Sequence, residues 1–352
     1  MRRALSLLLL LVVLGAAAWL AWRALGWQMD QPAAVTMPVR VEVAPGTSLR
    51  STLLTLQQQG ALRHARLVEL YLRLHGPTPR LQSGTYEVPP HASAREVLDQ
   101  LINGRVVLES LTVVEGWSFA QMRSALDAHP AVAHQLRGLS AQQLMGALGH
   151  PGEAAEGRFF PDTYRFAAGT SDRRILERAY ERMQAELEAA WSGRALDLPL
   201  VNADEALILA SIVEKETGRE DERPKVAAVF VNRLRLGMRL QSDPTVIYGL
   251  GESYDGHIHT RDLETDTPYN TYTRSGMPPT PIALPGAAAL QATLHPAASD
   301  ALYFVATGNG DGSHQFSATL AEHDVALRAY LHKLGVAPDA KLAAPAAGGR
   351  TP

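Results

Sequence analysis

The clearest structural signal in this 352-residue chain is Asn202-Ala-Asp-Glu-Ala-Leu-Ile-Leu-Ala-Ser-Ile-Val-Glu-Lys-Glu-Thr-Gly218. Asn202 is a favourable helix cap, and Glu205 three residues later gives a pattern close to a capping box. Gly218 is typical of the residue that follows a helix. The strongly apolar segment between them predicts a largely buried helix whose last turn displays two glutamates.

These two glutamates lie on different faces of the predicted helix. Successive residues turn by about 100°, so Glu214 and Glu216 lie nearly opposite each other. Glu214 shares its face with small residues, Ala210 and Ser211, which leave room for a substrate, whereas the bulky face of Glu216, beside Ile212, favours core contact. A carboxyl group partly desolvated on an apolar helix has a raised pKa, which suits a general acid. From this segment alone, two ordinary surface glutamates are the alternative.

Far from this helix in the chain, the sequence pattern of the N-terminus predicts a membrane anchor. Two arginines precede an uncharged run over residues 4–22, which Arg23 closes. The run is close to the roughly 20 residues that a helix needs to cross the hydrocarbon core. We therefore expect residues 1–23 to be a single span of the inner membrane, with the N-terminus cytoplasmic and the body periplasmic, because basic residues precede it. A cleaved signal peptide is the alternative, since small residues from Gly15 onward offer a cleavage site.

Composition narrows the classes of partner and cofactor. The net charge of −3 gives no basic surface for nucleic acid. The chain has no cysteine, which excludes disulfides, thiolate nucleophiles and thiolate metal sites. His257 and His259 bracket one residue in a polar stretch, for which a loop is favoured over a metal site. We therefore expect no metal and no cofactor.

The body of the chain divides into segments of different pattern. Residues 24–38 contain two prolines and predict a linker. Residues 39–105 begin as a strand, a turn at Pro45-Gly46 and a helix, a start that resembles the LysM carbohydrate-binding module; glycan binding and a packing role both stay open for this unit. Residues 106–335 predict a mixed α+β catalytic domain that contains the glutamate helix, and residues 336–352 predict a disordered tail. The predicted fold class is α+β.

Many blocks of this sequence occur in the order found in the MltG (YceG-like) family of endolytic murein transglycosylases. The resemblance runs from the membrane segment to about residue 335, and the matching blocks are Glu115-Gly-Trp117, Gly157-Arg-Phe-Phe-Pro-Asp-Thr-Tyr164, Ala210-Ser-Ile-Val-Glu-Lys-Glu-Thr217, Val229-Phe-Val-Asn-Arg-Leu234, Gly237-Met-Arg-Leu-Gln-Ser-Asp-Pro-Thr-Val-Ile-Tyr-Gly249, Asp266-Thr-Pro-Tyr-Asn-Thr-Tyr272, Gly276-Met-Pro-Pro279, Pro281-Ile-Ala-Leu-Pro-Gly286, His295-Pro296 and Leu302-Tyr-Phe-Val305. In the family the first glutamate of the Ile212-Val-Glu-Lys-Glu216 block is the catalytic one, so the resemblance implies that role for Glu214. The helix geometry selects the same residue. The resemblance also implies a lytic-transglycosylase-like active-site helix.

The resemblance further implies the reaction and the partners. Lytic transglycosylases of this kind use one glutamate, which protonates the glycosidic oxygen that leaves N-acetylmuramic acid (MurNAc). The same group then acts as a base on the sugar's 6-hydroxyl, which closes a 1,6-anhydro ring, and the sugar's N-acetyl group can stabilise the cation. The implied substrate is the bond from MurNAc to N-acetylglucosamine (GlcNAc) in nascent peptidoglycan strands. The implied role is to end glycan polymerisation beside peptidoglycan synthases at the inner membrane.

Polar and aromatic residues after the glutamate helix are the candidates for sugar contacts. They are Arg233, Gln241, Ser242, Thr245, Tyr248, Tyr269, Asn270 and Tyr272. Asn270 and Tyr248 are the strongest of these, whereas Arg233 can instead pair with a carboxylate on a neighbouring helix.

Two other functions stay open at this point. One is a non-catalytic glycan-binding scaffold of the cell-wall machinery. The other is a muramidase that uses water, which needs a second carboxylate near Glu214. Glu216 is the secondary candidate for the acid/base, and Asp243 or Glu264 could serve as that second carboxylate.

Overall fold

The computed structural model describes residues 2–44, 46–75 and 81–335. Within these residues, the chain forms two compact units. The first unit holds the described residues up to Ser110 together with Arg165–Thr170. The second holds Leu111–Tyr164 and the described residues from Ser171 onward. The tail predicted over residues 336–352 lies outside the described residues.

The first unit alternates helices with short strands. Its elements are α1 (Arg2–Met29), β1 (Val39–Val43), α2 (Leu49–Gln58), α3 (Ala65–His75), β2 (Gly84–Val88), α4 (Ala94–Ile102) and the start of β3 (Leu108–Thr112). β1 and β2 pair in antiparallel register, with Val41 opposite Tyr86. Alternation along β1 turns Val41 and Val43 into the core, where they pack with helix residues such as Leu53 and Leu101.

The N-terminal helix is longer than the apolar run in the sequence. Its segment Leu5–Met29 is long and apolar enough to cross a membrane, with a mean hydropathy of 2.4 and none of its most apolar window buried. The linker predicted over residues 24–38 begins later, because the helix continues through residues 24–29 and Met29 is 1% exposed in the core of the first unit. The arginine Arg95 on α4 binds Asp30 (2.7 Å) just after the helix. The N-terminal helix therefore continues directly into the first unit.

The second unit is mostly helical. From Phe119 onward the elements are α5 (Phe119–Ala128), β4 (Val132–Ala133), α6 (Ala141–Leu148), β5 (Thr163–Ala167), β6 (Thr170–Ser171), α7 (Asp172–Ser192), α8 (Ala203–Glu216), α9 (Arg223–Arg235), α10 (Asp243–Leu250), a 3-10 turn (Gly251–Ser253), α11 (Thr260–Glu264), α12 (Ala287–Leu294), β7 (Tyr303–Ala306), β8 (His314–Ser317) and α13 (Leu320–Lys333). Most of β5 and the first residue of β6 fall in the first unit. β3 pairs with β5, and β4 with β6. β7 and β8 form the antiparallel hairpin that the Gly-rich turn predicts. With two-stranded sheets between many helices, the mixed α+β class is confirmed.

Helix α8 is the centre of the second unit and packs against α7, α9, α10 and α12. Asn202 caps it as predicted, because its side-chain oxygen accepts a hydrogen bond from the backbone N–H of Glu205 (2.9 Å). The Glu205 carboxylate binds Val201 N (2.7 Å) and not the cap residue, so the reciprocal bond is displaced by one position. The helix ends at Glu216, and Thr217 is already extended. The end therefore comes two residues before Gly218 and needs no left-handed glycine.

Candidate active site

Glu214 lies in the last turn of α8, where it is partly exposed. Its Oε2 accepts a hydrogen bond from Gly286 N (3.1 Å), at the start of α12. A Cβ atom at Gly286 would collide with the carboxyl group of Glu115, so the absence of a side chain there lets Glu115 approach. Gly116 N donates to Leu284 O (2.9 Å), which ties the loop that carries Glu115 to the segment before α12. The loop that carries Glu115 and the segment that leads into α12 therefore meet at the Glu214 carboxyl, at the end of α8.

The surroundings of Glu214 favour its protonated form. Burial raises its pKa above the ordinary value, and the N–H of Gly286 partly opposes this by stabilising the ionised form. The nearby Glu115 carboxylate raises the pKa further, while Arg223 and Lys215 lower it. The balance gives a carboxyl group that holds a proton more tightly than a surface glutamate. It can still lose that proton, because Gly286 and two cations stabilise the anion.

One turn before Glu214, the face of α8 that carries the small residues Ala210 and Ser211 is covered by another part of the protein. Ser211 is fully buried, and its Oγ donates to Ile208 O (2.7 Å) and accepts from Ile282 N (3.0 Å). Ala210 is also fully buried. The room that these residues leave is therefore taken by the segment around Ile282, which corrects the predicted open face. On this face of α8, Ala210 and Ser211 are buried and Glu214 is partly exposed.

Glu216 points into the protein, on the side that its bulky neighbours predict. It is 2% exposed, and its Oε1 accepts a hydrogen bond from Ser242 Oγ (2.6 Å). Among the described residues, no partner binds its Oε2. Burial raises the pKa of Glu216 to about 8, and the negative charge of Asp243 adds to this against the opposing effects of Ser242 and Arg233. Glu216 is a buried acid behind the surface that carries Glu214.

Four of the eight candidates for sugar contact are buried and bound to protein groups. Asn270 is fully buried, and its amide nitrogen donates to the carbonyl oxygens of Asp262, Leu263 and Thr265 at 3.1, 3.1 and 2.7 Å. An amide engaged in this way holds the loop in shape and has no free donor for a sugar. The structure thus corrects the expectation for Asn270, the strongest of the predicted cleft residues.

The same correction applies to Ser242, Thr245 and Arg233. Ser242 and Thr245 are at most 1% exposed, and Thr245 Oγ1 donates to Ser242 O (2.6 Å). Arg233 is 7% exposed and donates to the carbonyl oxygens of Leu302 (2.7 Å) and Leu240 (2.6 Å). These buried polar residues hydrogen-bond to other protein groups, as buried polar groups must.

The other candidates remain at least partly exposed. Gln241 is exposed and has a left-handed backbone (φ 51°). Tyr272 is half-buried and its hydroxyl donates to Asp243 Oδ1 (2.5 Å). Tyr248 and Tyr269 are half-buried, and their rings meet edge to face with centroids 4.8 Å apart. These two tyrosines line the same surface groove.

A carboxyl group that the sequence did not single out lies beside these tyrosines. Glu156 is 7% exposed, and its oxygens accept hydrogen bonds from Phe119 N (2.9 Å) and Tyr248 Oη (3.1 Å). Burial raises the pKa of Glu156 to about 7 against these two bonds and the charge of Lys215. Glu156 directly precedes the block Gly157-Arg-Phe-Phe-Pro-Asp-Thr-Tyr164, which resembles the family, and this position is the signal that the sequence offers for it. Its pairing with Tyr248 joins segments too far apart in the chain for spacing to reveal.

Among the described residues, Asp127, His134 and Asp172 form a group whose ligand atoms lie within 4.8 Å of one another, as metal ligands would. Asp127 is already paired with Arg123 (2.9 Å), and Asp172 accepts bonds from the backbone N–H groups of residues 135 and 136. These carboxylates stabilise the loop between α5 and α7, so the group carries no metal assignment. Glu264, one of the candidates for a second carboxylate, is exposed at the end of α11.

With the fold and the glutamate helix in place, comparison with known proteins identifies the class. The chain belongs to the YceG-like family, whose model matches residues 41–329. The resemblance drawn from the sequence blocks is thereby confirmed.

Particular relatives agree with this assignment. A Bacillus subtilis (strain 168) protein named endolytic murein transglycosylase is 29% identical over 314 residues, covering 83% of this chain and 85% of its own. A Streptococcus pneumoniae (strain D39) protein of the same name is 26% identical, and the match covers 81% of this chain but 57% of that longer protein. The crystal structure of a YceG-like protein from Listeria monocytogenes is similar with a TM-score of 0.51 and 27% identity, covering 82% of this chain and 98% of the other.

Proposed function

We propose that this protein is a membrane-bound lytic transglycosylase. It cleaves the MurNAc–GlcNAc bond of peptidoglycan glycan strands and leaves 1,6-anhydroMurNAc ends. The observation that carries the proposal is Glu214, a partly buried carboxyl group with a raised pKa at the surface end of a buried helix. The names of the Bacillus and Streptococcus relatives support the reaction class.

One carboxyl group can perform both proton transfers of this reaction. Protonated Glu214 donates its proton to the glycosidic oxygen, and the C1–O bond of MurNAc breaks while positive charge develops at C1. The N-acetyl group of the sugar stabilises that charge. The Glu214 carboxylate then takes the proton of the 6-hydroxyl, whose oxygen bonds to C1, so the acid is regenerated and no water is consumed.

The neighbours of Glu214 suit each half of this cycle. Burial, with a smaller contribution from the Glu115 carboxylate, raises the pKa of Glu214, which keeps the proton in place until the glycosidic oxygen arrives. The Gly286 N–H, 3.1 Å from Oε2, stabilises the anion that remains after the proton has gone. General acid/base groups of this kind typically contribute about 10²–10⁴-fold in rate.

The N-terminal helix supports a proposed location. The apolar run over residues 4–22, within the helix Arg2–Met29, spans the inner membrane, with the N-terminus in the cytoplasm and both folded units in the periplasm, where the glycan strands lie. Peptidoglycan synthases at the same membrane are the proposed partners, because the enzyme acts on strands that they extend.

Product analysis tests the reaction. Purified full-length protein in detergent is incubated with peptidoglycan glycan strands, and the fragments are analysed by mass spectrometry. We expect 1,6-anhydroMurNAc ends. Reducing MurNAc ends, which are heavier by one water, would show a hydrolase, and bound but uncleaved strands would show a scaffold. A matched control is Glu188→Gln, an exposed glutamate on α7 that should leave cleavage unchanged.

A further inference from the structure

A groove in the second unit contains a buried carboxyl group that the proposed reaction does not use. Its lining includes small residues and three aromatic rings, and the groove residues relevant here are Phe119, Ala155, Glu156, Tyr248, Tyr269 and Thr280. Glu156 is the buried acid among them. The hydroxyl groups of Tyr269 and Thr280 form a hydrogen bond (2.8 Å), which holds these two lining residues together.

The groove lies close to the proposed catalytic carboxyl. The ammonium group of Lys215 lowers the pKa of both Glu156 and Glu214, so one charge lies within electrostatic reach of both. Lys215 Nζ donates to Gly116 O (3.3 Å). Three residues further on, Phe119 N donates to Glu156 (2.9 Å). The groove therefore lies within reach of a sugar chain that has one bond at Glu214.

Glu156 offers a ligand one hydrogen-bond donor. Both of its oxygens already accept bonds, one from Phe119 N and one from Tyr248 Oη. A protonated carboxyl group keeps this acceptor capacity and adds one O–H donor. Because burial raises its pKa to about 7, Glu156 carries that proton for much of the time near neutral pH. The groove thus combines one strong donor with aromatic rings.

We infer that this groove binds an N-acetylated amino sugar of the glycan strand, with the protonated Glu156 carboxyl donating a hydrogen bond to the acetamido carbonyl oxygen. An acetamido group has one carbonyl acceptor and one methyl group, which match the acid and the aromatic rings. The inference rests on the proposed function, since that function brings a strand in which every sugar carries such a group. Glu156 is a binding residue and transfers no proton.

Ionisation of Glu156 should weaken this binding. The groups that act on it are the ammonium of Lys215 from α8, the hydroxyl of Tyr248 from α10 and the backbone N–H groups of residues 119 and 157. Glu153 and Tyr269 line the same groove. A Glu156 carboxylate has lost its donor and repels the carbonyl oxygen, so affinity should fall as pH rises through about 7.

Binding to an inactive protein tests the groove separately from cleavage. Full-length Glu214→Gln protein in detergent is titrated with peptide-free strands of alternating GlcNAc and MurNAc at pH 5.5 and 8.5. We expect the Kd to rise by about 10-fold at the higher pH, the equivalent of one hydrogen bond to a charged or strongly polar group. The double variant Glu214→Gln/Glu156→Gln cannot ionise at this position, so its Kd should stay nearly constant.

Two further measurements separate a binding role from a structural one. Tyr248→Phe removes a bond that stabilises the ionised form of Glu156, so it should move the pH at which binding weakens upward while keeping the ring. With cello-oligosaccharides, which carry a hydroxyl group in place of each acetamido group and do not titrate in this range, Glu156→Gln should not change the pH dependence. Equal pH dependence with and without Glu156 would overturn the inference, as would an unshifted midpoint in Tyr248→Phe. If the wild type releases no anhydro ends, the proposed function fails, whatever the binding series shows.

Discussion

Replacing Glu216 with glutamine should change how the stability of the protein depends on pH. Glu216 is 2% exposed, and burial raises its pKa to about 8 from 4.5. Because the folded-state pKa lies above the unfolded value, the folded protein binds this proton more tightly. The stabilisation of the folded state by this bound proton is complete below about pH 4.5, and it is lost as the pH rises toward 8.

The size of the change in stability follows from the shift in the pKa of Glu216. Each pKa unit corresponds to about 1.4 kcal/mol, so wild-type Glu216 costs roughly 3 kcal/mol of stability at pH 7 and roughly 5 at pH 8 and above. Glu216→Gln keeps the acceptor for Ser242 Oγ and cannot ionise. The free energy of unfolding of the variant, minus that of the wild type, should therefore rise by several kcal/mol between pH 5 and pH 8.

Denaturant titration of the full-length protein in detergent at pH 5, 6, 7 and 8 measures this difference. Other titrating groups are common to both proteins and cancel in the comparison. Glu188→Gln is the matched control, because that glutamate is exposed and its replacement should give a flat difference. A flat difference for Glu216→Gln as well would refute the assignment of a buried, largely protonated acid behind the active site.

Two other predictions concern the loop and the membrane. Asn270→Ala removes the buried amide that donates to three backbone carbonyl oxygens and should cost about 2–4 kcal/mol of stability, whereas the exposed Asn309→Ala should cost little. Equal melting temperatures for the two variants would contradict the structural role of Asn270. A reporter active only outside the cytoplasm, fused to the C-terminus, should give signal, and a cytoplasm-only reporter should not. The reverse pattern would refute the topology, and a shortened soluble product would show that the N-terminal helix is a cleaved signal peptide.

Regular periodicity explains which parts of the structure could be predicted. The cap at Asn202 and the opposite directions of Glu214 and Glu216 follow from helix geometry, and the hairpin at its Gly-rich turn follows from strand alternation. The continuation of the first helix to Met29 was missed because packing in the first unit, rather than local sequence, determines where that helix ends.

The site residues in loops were harder to predict for a different physical reason. A polar side chain in a loop can bind a ligand or satisfy a buried backbone group, and the sequence does not distinguish these roles. Asn270 does the second. Glu156 was overlooked because its significance depends on burial and on Tyr248, which a distant segment supplies. Tertiary contacts of this kind leave no spacing pattern.

The most direct test of the account is cleavage by Glu214→Gln. The variant and the wild type are incubated with the same glycan strands, and the rate of formation of 1,6-anhydroMurNAc ends is measured by mass spectrometry. Because Glu214 both donates and accepts the proton, we expect the rate to fall by at least about 10²-fold. The melting temperature should change little, since the side chain is partly exposed. Anhydro ends formed at the wild-type rate by a folded Glu214→Gln protein would contradict the central claim.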